Sequence, residues 1–215
     1  AVLVVLLAGL ATAGRPAVAQ PAAAPVAAPA KKAAEHSALL KEKIGADVIG
    51  VEVDAQGMNV EALTAALEQK PTALFLQPRA QNPTGVTMSA QRAKHIADAI
   101  VASGHSESIT IIEDDHAGDI AVGELNSIGN YLPTRTVHIR SYSKSHGPDL
   151  RLAAVGGAGD VISAAANRRL LGPGWSSRIL QAVLLELLDD HATLESLSHA
   201  RAEYSRRRQE VVQIL

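Results

Sequence analysis

The chain has 215 residues and a formal net charge of -2, from 20 Lys+Arg against 22 Asp+Glu. That balance excludes a nucleic-acid binder held mainly by charge, which needs a basic excess, and the absence of cysteine excludes a disulfide scaffold, a thiolate zinc site and a cysteine nucleophile. Hydrophobic residues make up 47% and aromatics only 2%, so the core must be built from Ala, Val, Leu and Ile.

The first thirty residues carry a single charge, Arg15. The opening run AVLVVLLAGL is too short to span a bilayer, which takes roughly 20 apolar residues. It matches the apolar region of a secretory signal, with Ala17-Val18-Ala19 as a small-x-small cleavage pattern, although no basic segment precedes it. The Pro/Ala run 21–30 reads as an extended linker. Three readings of this start stand side by side: a low-complexity extension, an export signal over residues 1–19, and a helix of the folded domain. The preferred division is a low-complexity or signal-like segment over 1–37 and a folded domain over 38–215, with a cytoplasmic location unless the signal is genuine.

Beyond Lys31 the pattern alternates between α and β. A helix is expected over 33–44, ended by Gly45. VIGVEV (48–53) reads as a strand, residues 54–57 as a turn, and 59–69 as an amphipathic helix with Val60, Leu63 and Leu67 on one face. ALFLQ (73–77) has the apolar run of a strand buried on both faces. A helix follows over 89–102, with Ser89 as N-cap. SITIIED (108–114), TVHIRSYS (136–143) and LAAVGG (152–157) are further strands. Residues 160–171, 176–188 and 191–213 are helical. The apolar face of 176–188 fits a core helix better than an interface. This alternation predicts an α/β fold, a mostly parallel sheet with helices on both faces.

In such sheets ligands bind beyond the carboxyl ends of the strands, and four polar motifs fall there. Gln77 is followed by Pro78-Arg79-Ala80-Gln81-Asn82-Pro83-Thr84-Gly85, a rigid turn exposing the Asn82 side chain. SITII ends in Glu113, Asp114, Asp115 and His116, carboxylates that are costly to bury without a cation or water. TVHIR ends in Ser141-Tyr142-Ser143-Lys144-Ser145, two hydroxyls flanking a primary amine. Seven residues beyond Lys144 comes Arg151, whose forked guanidinium suits phosphate. Taken singly, each motif is more simply a turn, a solvated loop or surface charge. A divalent-metal site on Glu113, Asp114, Asp115 and His116 would leave Lys144 and Arg151 without a role.

In this order and spacing, Asn82-Pro83-Thr84-Gly85, Asp114-x-His116, Ser141-x-Ser143-Lys144 and Arg151 resemble the large domain of fold-type I, pyridoxal-phosphate-dependent aminotransferases of class I/II. IIEDDH, SYSKSHGPDLRLAAVGG and RRLLGPGWSSRILQ are similar to the aminotransferase-like domain of MocR-type GntR regulators. The resemblance implies pyridoxal 5'-phosphate as cofactor and transfer of an amino group between an amino acid and a 2-oxo acid. Lys144 would form the Schiff base and act as base. Asp114, with Asp115 as its rival, would pair with the pyridinium nitrogen. Asn82 would donate to the phenolic oxygen, and Ser141, Ser143 and Arg151 would hold the phosphate. His116 stands where the family usually has Tyr. A homodimer is implied in the same way, with no metal, no stable membrane span and no nucleic acid contacted by this segment. The family's phosphate-cup turn, its ring-stacking aromatic and its small C-terminal domain find no counterpart, so an incomplete domain is expected. A non-catalytic sensor that binds the cofactor to control transcription is the alternative.

Overall fold

The computed structural model describes residues 2–5, 45–172 and 176–214. The helix expected over 33–44 and the 37/38 boundary lie outside them. Among the described residues there are eight strands: β1 (Val2–Val5), β2 (Asp47–Ile49), β3 (Val53–Asp54), β4 (Gly57–Met58), β5 (Ala73–Leu76), β6 (Thr110–Asp115), β7 (Thr136–Ser141) and β8 (Ala153–Gly157). The same residues hold five α-helices: α1 (Val60–Leu67) and α2 (Ala90–Ala102) between strands, and α3 (Gly159–Arg169), α4 (Arg178–Asp189) and α5 (His191–Ile214) after β8.

Six strands form one sheet in the order β2-β1-β5-β6-β7-β8, and β3 and β4 form a separate hairpin. All pairings in the large sheet are parallel except β7 with β8. The mostly parallel sheet expected from the alternation is therefore present, closed by one antiparallel edge. Parallel neighbours need a crossover connection, while β8 can return directly from β7 and pair antiparallel with it. At the far end of β8, beside the start of β7, Gly157 adopts φ +136, and a Cβ there would lie 2.1 Å from the Thr136 carbonyl. Only glycine allows so close an approach.

Two stretches differ from expectation. VIGVEV splits, its first half becoming β2 and its end β3, with Gly50 between them. More consequential is β1. The run read as signal-like contributes Val2–Val5 to the sheet, with Leu3 paired to Val48 on one side and to Ala73 on the other. The physical reason is that an unbroken run of Val and Leu suits a strand paired on both sides as well as it suits a signal's apolar region.

Helices α1 and α2 pack on one face of the sheet. Asn59 caps α1 by accepting from the Ala62 N–H at 2.9 Å, and Ser89 caps α2 by accepting from the Arg92 N–H at 3.1 Å. Both caps satisfy donors that a helix start otherwise leaves open. Leu63 and Leu67 on α1, and Ala93, Ile96, Ala97 and Ile100 on α2, recur at helical spacing and bury against Leu74, Leu76 and Ile111. This is the aliphatic core that the composition demands.

Helix α4 departs from the core role expected of 176–188. Among the described residues only Leu184 of its apolar face is buried, while Ile179 is 77% exposed. Periodicity identifies an apolar face but not what covers it. Among the described residues, no helix is long and apolar enough to cross a membrane.

Candidate functional site

Successive side chains of a strand point to opposite faces, and β6 uses this to separate its three acidic residues. Ile111, Glu113 and Asp115 are buried on the side of α1 and α2, whereas Asp114 looks to the other side. Glu113, Asp114, Asp115 and His116 therefore do not converge as a metal site would require.

The α1/α2 side is closed and charge-matched. Asp115 is fully buried and receives both ends of the Arg79 fork, from Nε at 2.8 Å and Nη2 at 2.7 Å. Arg140, its register partner on β7, donates from Nη1 at 3.2 Å and continues to Asp119. Burial alone would push the Asp115 carboxyl up. The hydrogen bonds of His138 and Arg79 and the charges of Arg79 and Arg140 outweigh it, and the group sits far below the usual carboxylate range. Glu113 accepts from the Ile128 N–H and the Ser127 hydroxyl, both at 2.6 Å, and from His138 Nδ1 at 3.0 Å. His138 Nε2 lies 3.7 Å from Asp115. Held by Asp115 and Glu113 together, His138 is raised to about 9 against the effect of burial.

The opposite side holds the residues that the motifs single out. The register that pairs Leu76 with Glu113 puts Gln77 beside Asp114, and Gln77 Nε2 donates to Asp114 Oδ2 at 3.0 Å. Gln77 Oε1 accepts from the Asn82 N–H at 2.9 Å, which fixes the start of the Asn-Pro turn. The Asn82 side-chain amide lies 3.5 Å from His116 Nε2, and the Asn82–Pro83 bond is cis. Asn82, Asp114 and His116 thus meet at the carboxyl ends of β5 and β6. His116 Nδ1 is buried with no hydrogen-bond partner among the described residues. Burial lowers the His116 pKa from its ordinary 6.5. The Asp114 charge opposes that effect and the Lys144 ammonium adds to it. Lys144 is exposed, yet close enough for its charge to act on this imidazole.

The other predicted residues sit on the loop that joins β7 to β8. It is closed at its base by the Tyr142 N–H donating to the Leu152 carbonyl at 3.1 Å. Antiparallel register pairs Ser141 with Ala153, and continuing that register by two residues sets Ser143 across from Arg151. A spacing of eight residues in the sequence is in this way folded back on itself. Ser141 Oγ accepts from the Ser143 N–H at 3.3 Å. Arg151 is exposed and left-handed, with φ +50, immediately after the 3-10 turn Pro148–Leu150. A non-glycine residue there is strained, a kind of outlier concentrated at functional sites. The loop after β6 presses on this one: a Cβ at Gly118 would lie 2.7 Å from the Ser141 carbonyl, and Gly118 has φ +54. Among the described residues, Arg151 makes no hydrogen bond to Ser141 or Ser143.

Four residues of the assembly were not singled out by sequence reasoning. Gln77 appears only as the end of a strand, Arg79 as part of a turn, and His138 and Arg140 as positions within β7. For three of them the signal that could have found them is strand parity: once β5, β6 and β7 are aligned, Gln77 falls beside Asp114, His138 beside Glu113 and Arg140 beside Asp115, whereas Arg79, beyond β5, has no such mark.

A mixed sheet with its polar residues gathered at the carboxyl ends of parallel strands defines an α/β ligand-binding fold. The family model for "Aminotransferase class I and II" matches residues 26–215, and the chain belongs to that family. It is 35% identical to the vitamin B6 salvage pathway transcriptional repressor PtsJ of Salmonella typhimurium, over 77% of this chain and 38% of that protein. It is 32% identical to the aminotransferase swnA of Metarhizium robertsii, over 78% of this chain and 37% of that one. Among solved structures, Thermus thermophilus aspartate aminotransferase with maleate superposes at a TM-score of 0.70 and 22% identity, covering 79% of this chain and 44% of that one. The fold is therefore that of the large domain of fold-type I aminotransferases. The chain spans less than half the length of these relatives.

Proposed function

We propose that this chain is the pyridoxal-phosphate-binding part of an aminotransferase-like protein that transfers an amino group between an amino acid and a 2-oxo acid. The observation that carries this reading is the meeting of Asn82, Asp114 and His116 at the ends of β5 and β6, with the Lys144 charge acting on His116. The donor set suits the cofactor's parts: a carboxylate for a ring nitrogen, an amide for a phenolic oxygen, a primary amine for an aldehyde, and two hydroxyls with a guanidinium for a phosphate. The buried, unpartnered His116 Nδ1 is a further polar atom that a ligand can satisfy.

When bound, pyridoxal phosphate supplies an aldehyde that amines add to and a ring that withdraws electrons from the substrate α-carbon. Asp114 holds a proton on the ring nitrogen. Asp115 is the weaker candidate for that task, because Arg79, Arg140 and His138 already surround it on the other face. Asn82 directs its amide to the phenolic oxygen. Depressed below 6.5, His116 is neutral at pH 7 and orients the Asn82 amide without adding charge. Lys144 provides the primary amine and then the base that moves a proton at the substrate α-carbon. Ser141, Ser143 and Arg151 hold the phosphate. A homodimer, implied by the family, would cover exposed apolar residues such as Ile179 and Leu185. With its near-neutral charge, this segment itself takes no nucleic acid. A cytoplasmic location goes with this reading, because processing after Ala19 would remove β1 from between β2 and β5; a mature chain starting at Gln20 would overturn that.

The test is a titration of the purified full chain with pyridoxal phosphate. A visible band that disappears in Lys144→Ala is expected, and no band, or one indifferent to that substitution, would sink the proposal. A second reading, a sensor that binds the cofactor without turnover, is favoured by the relative named as a repressor. Release of a 2-oxo acid when an amino acid is added to the loaded protein selects the enzyme; a band that never responds to amino acids selects the sensor.

A further inference from the structure

Gln77 lies between two of the residues assigned to the cofactor, and its orientation follows from simple chemistry. The Asn82 N–H can only donate, so the Gln77 amide oxygen must be the end that faces it, at 2.9 Å. That turns the Gln77 NH2 toward Asp114, whose Oδ2 accepts at 3.0 Å. The rest of the β5 end leaves Gln77 little choice. Leu74 and Leu76 are buried on the α1/α2 side, and strand parity sends Gln77 to the side of Asp114.

We infer that Gln77 is a positioning residue: one amide locks Asp114 and the Asn82 turn to each other, presenting the Asp114 carboxylate to the ring nitrogen in a single orientation. The inference rests on the cofactor reading above and deepens it. With Oδ2 accepting from Gln77, Oδ1 would be the oxygen left for a ligand. Because the same amide accepts from the Asn82 backbone, moving Asp114 also moves the start of the turn that carries the Asn82 side chain. A carboxylate anchored by a side-chain amide is held more tightly than one anchored by water, and preorganisation of this kind acts on affinity without touching the ligand.

The experiment is a thermodynamic cycle on the full chain, read as the apparent Kd for pyridoxal phosphate from the visible band. In the native background Gln77→Leu should weaken binding by about tenfold or more, the loss expected for a hydrogen bond to a charged group. In an Asp114→Asn background the same substitution should cost clearly less, because the share that passes through the Asp114 charge is already gone and only the share through the Asn82 turn remains. Equal losses in both backgrounds, or no loss in either, would overturn the inference. Should Gln77→Leu fail to fold, Gln77→Glu serves: it keeps the acceptor for Asn82 and sets two carboxyl groups side by side. These cannot both ionise cheaply. The expected result is a new pH dependence, with affinity near native at low pH and falling as pH rises, and a pH profile parallel to the native one would overturn the inference. If the native chain shows no Lys144-dependent band, the cofactor reading itself fails and takes this inference with it. If the native band is present and Gln77 is silent, only the inference fails.

Discussion

On one face of β6, Glu113 and Asp115 are fully enclosed and every strong contact they make is to another protein group: Arg79, Arg140, His138, Ser127 and the Ile128 N–H. On the other face Asp114 takes a single amide from Gln77, and His116 keeps a buried nitrogen without a partner among the described residues. The two faces are built from alternate residues of β6 together with His116, which follows it. A carboxylate surrounded by protein donors stabilises the fold and has no capacity left for a ligand. A carboxylate held by one donor is oriented and still able to accept. Proximity in sequence therefore says little about role here: Asp114 and Asp115 are neighbours, and only Asp114 shares a side with Gln77, Asn82 and His116.

Substitutions should separate the two faces by what they change. The largest effect on stability is expected from Arg79→Met, which leaves Asp115 buried with much of its compensating charge removed. About 3–5 kcal/mol should be lost in urea unfolding, and a loss under about 1 kcal/mol would mean that the network is not what holds the closed side. Next comes pH. Raised to about 9 from 6.5, the His138 pKa contributes stability that is complete below 6.5 and disappears as pH climbs to about 9. Asp115 works in the other direction: its depressed pKa contributes stability above the usual carboxylate range that is lost on acidification. Thermal unfolding should therefore weaken between pH 6.5 and 9 by on the order of 2 kcal/mol, and His138→Gln should flatten that slope. A slope unchanged in the variant would remove His138 from the account.

A smaller effect calibrates the scale. Ser89→Ala removes only the cap of α2 and should cost about 1 kcal/mol, with cofactor affinity intact. The smallest effect on stability is expected on the proposed cofactor side. Lys144 is exposed, and Lys144→Ala should move the unfolding midpoint by less than about 0.5 kcal/mol while abolishing the visible band. If that variant instead unfolded easily, the division between a stabilising face and a binding face would be broken.

Much of this was legible beforehand, because the physics is local. Period-two and 3.6-residue patterns place β5, β6, β7, α1 and α2 within a few residues of their observed limits, and Asn59 and Ser89 act as caps where helix starts need an acceptor. Asn82, Asp114, His116, Ser141, Ser143, Lys144 and Arg151 stand out because they fall at strand ends, where backbone pairing stops and side chains can serve a ligand. Composition was legible too: with so few aromatics, the core had to be the Leu/Ile/Ala cluster between the sheet and its two helices.

Other features depend on contacts between residues far apart in the chain. Val2–Val5 carries no local mark that separates a signal-like run from a central strand; the difference lies in its pairing with β2 and β5. Asp114 and Asp115 are chemically identical, and the choice between them follows from which side of β6 the α1/α2 core covers. Gln77 has no signature in the sequence because its role exists only once β5 and β6 lie in register. Local chemistry along the chain sets the elements, their caps and the polar residues at the strand ends. Tertiary structure decided which of those residues face each other, because strand register and sheet sidedness are set by long-range pairing and burial rather than by the residues alone.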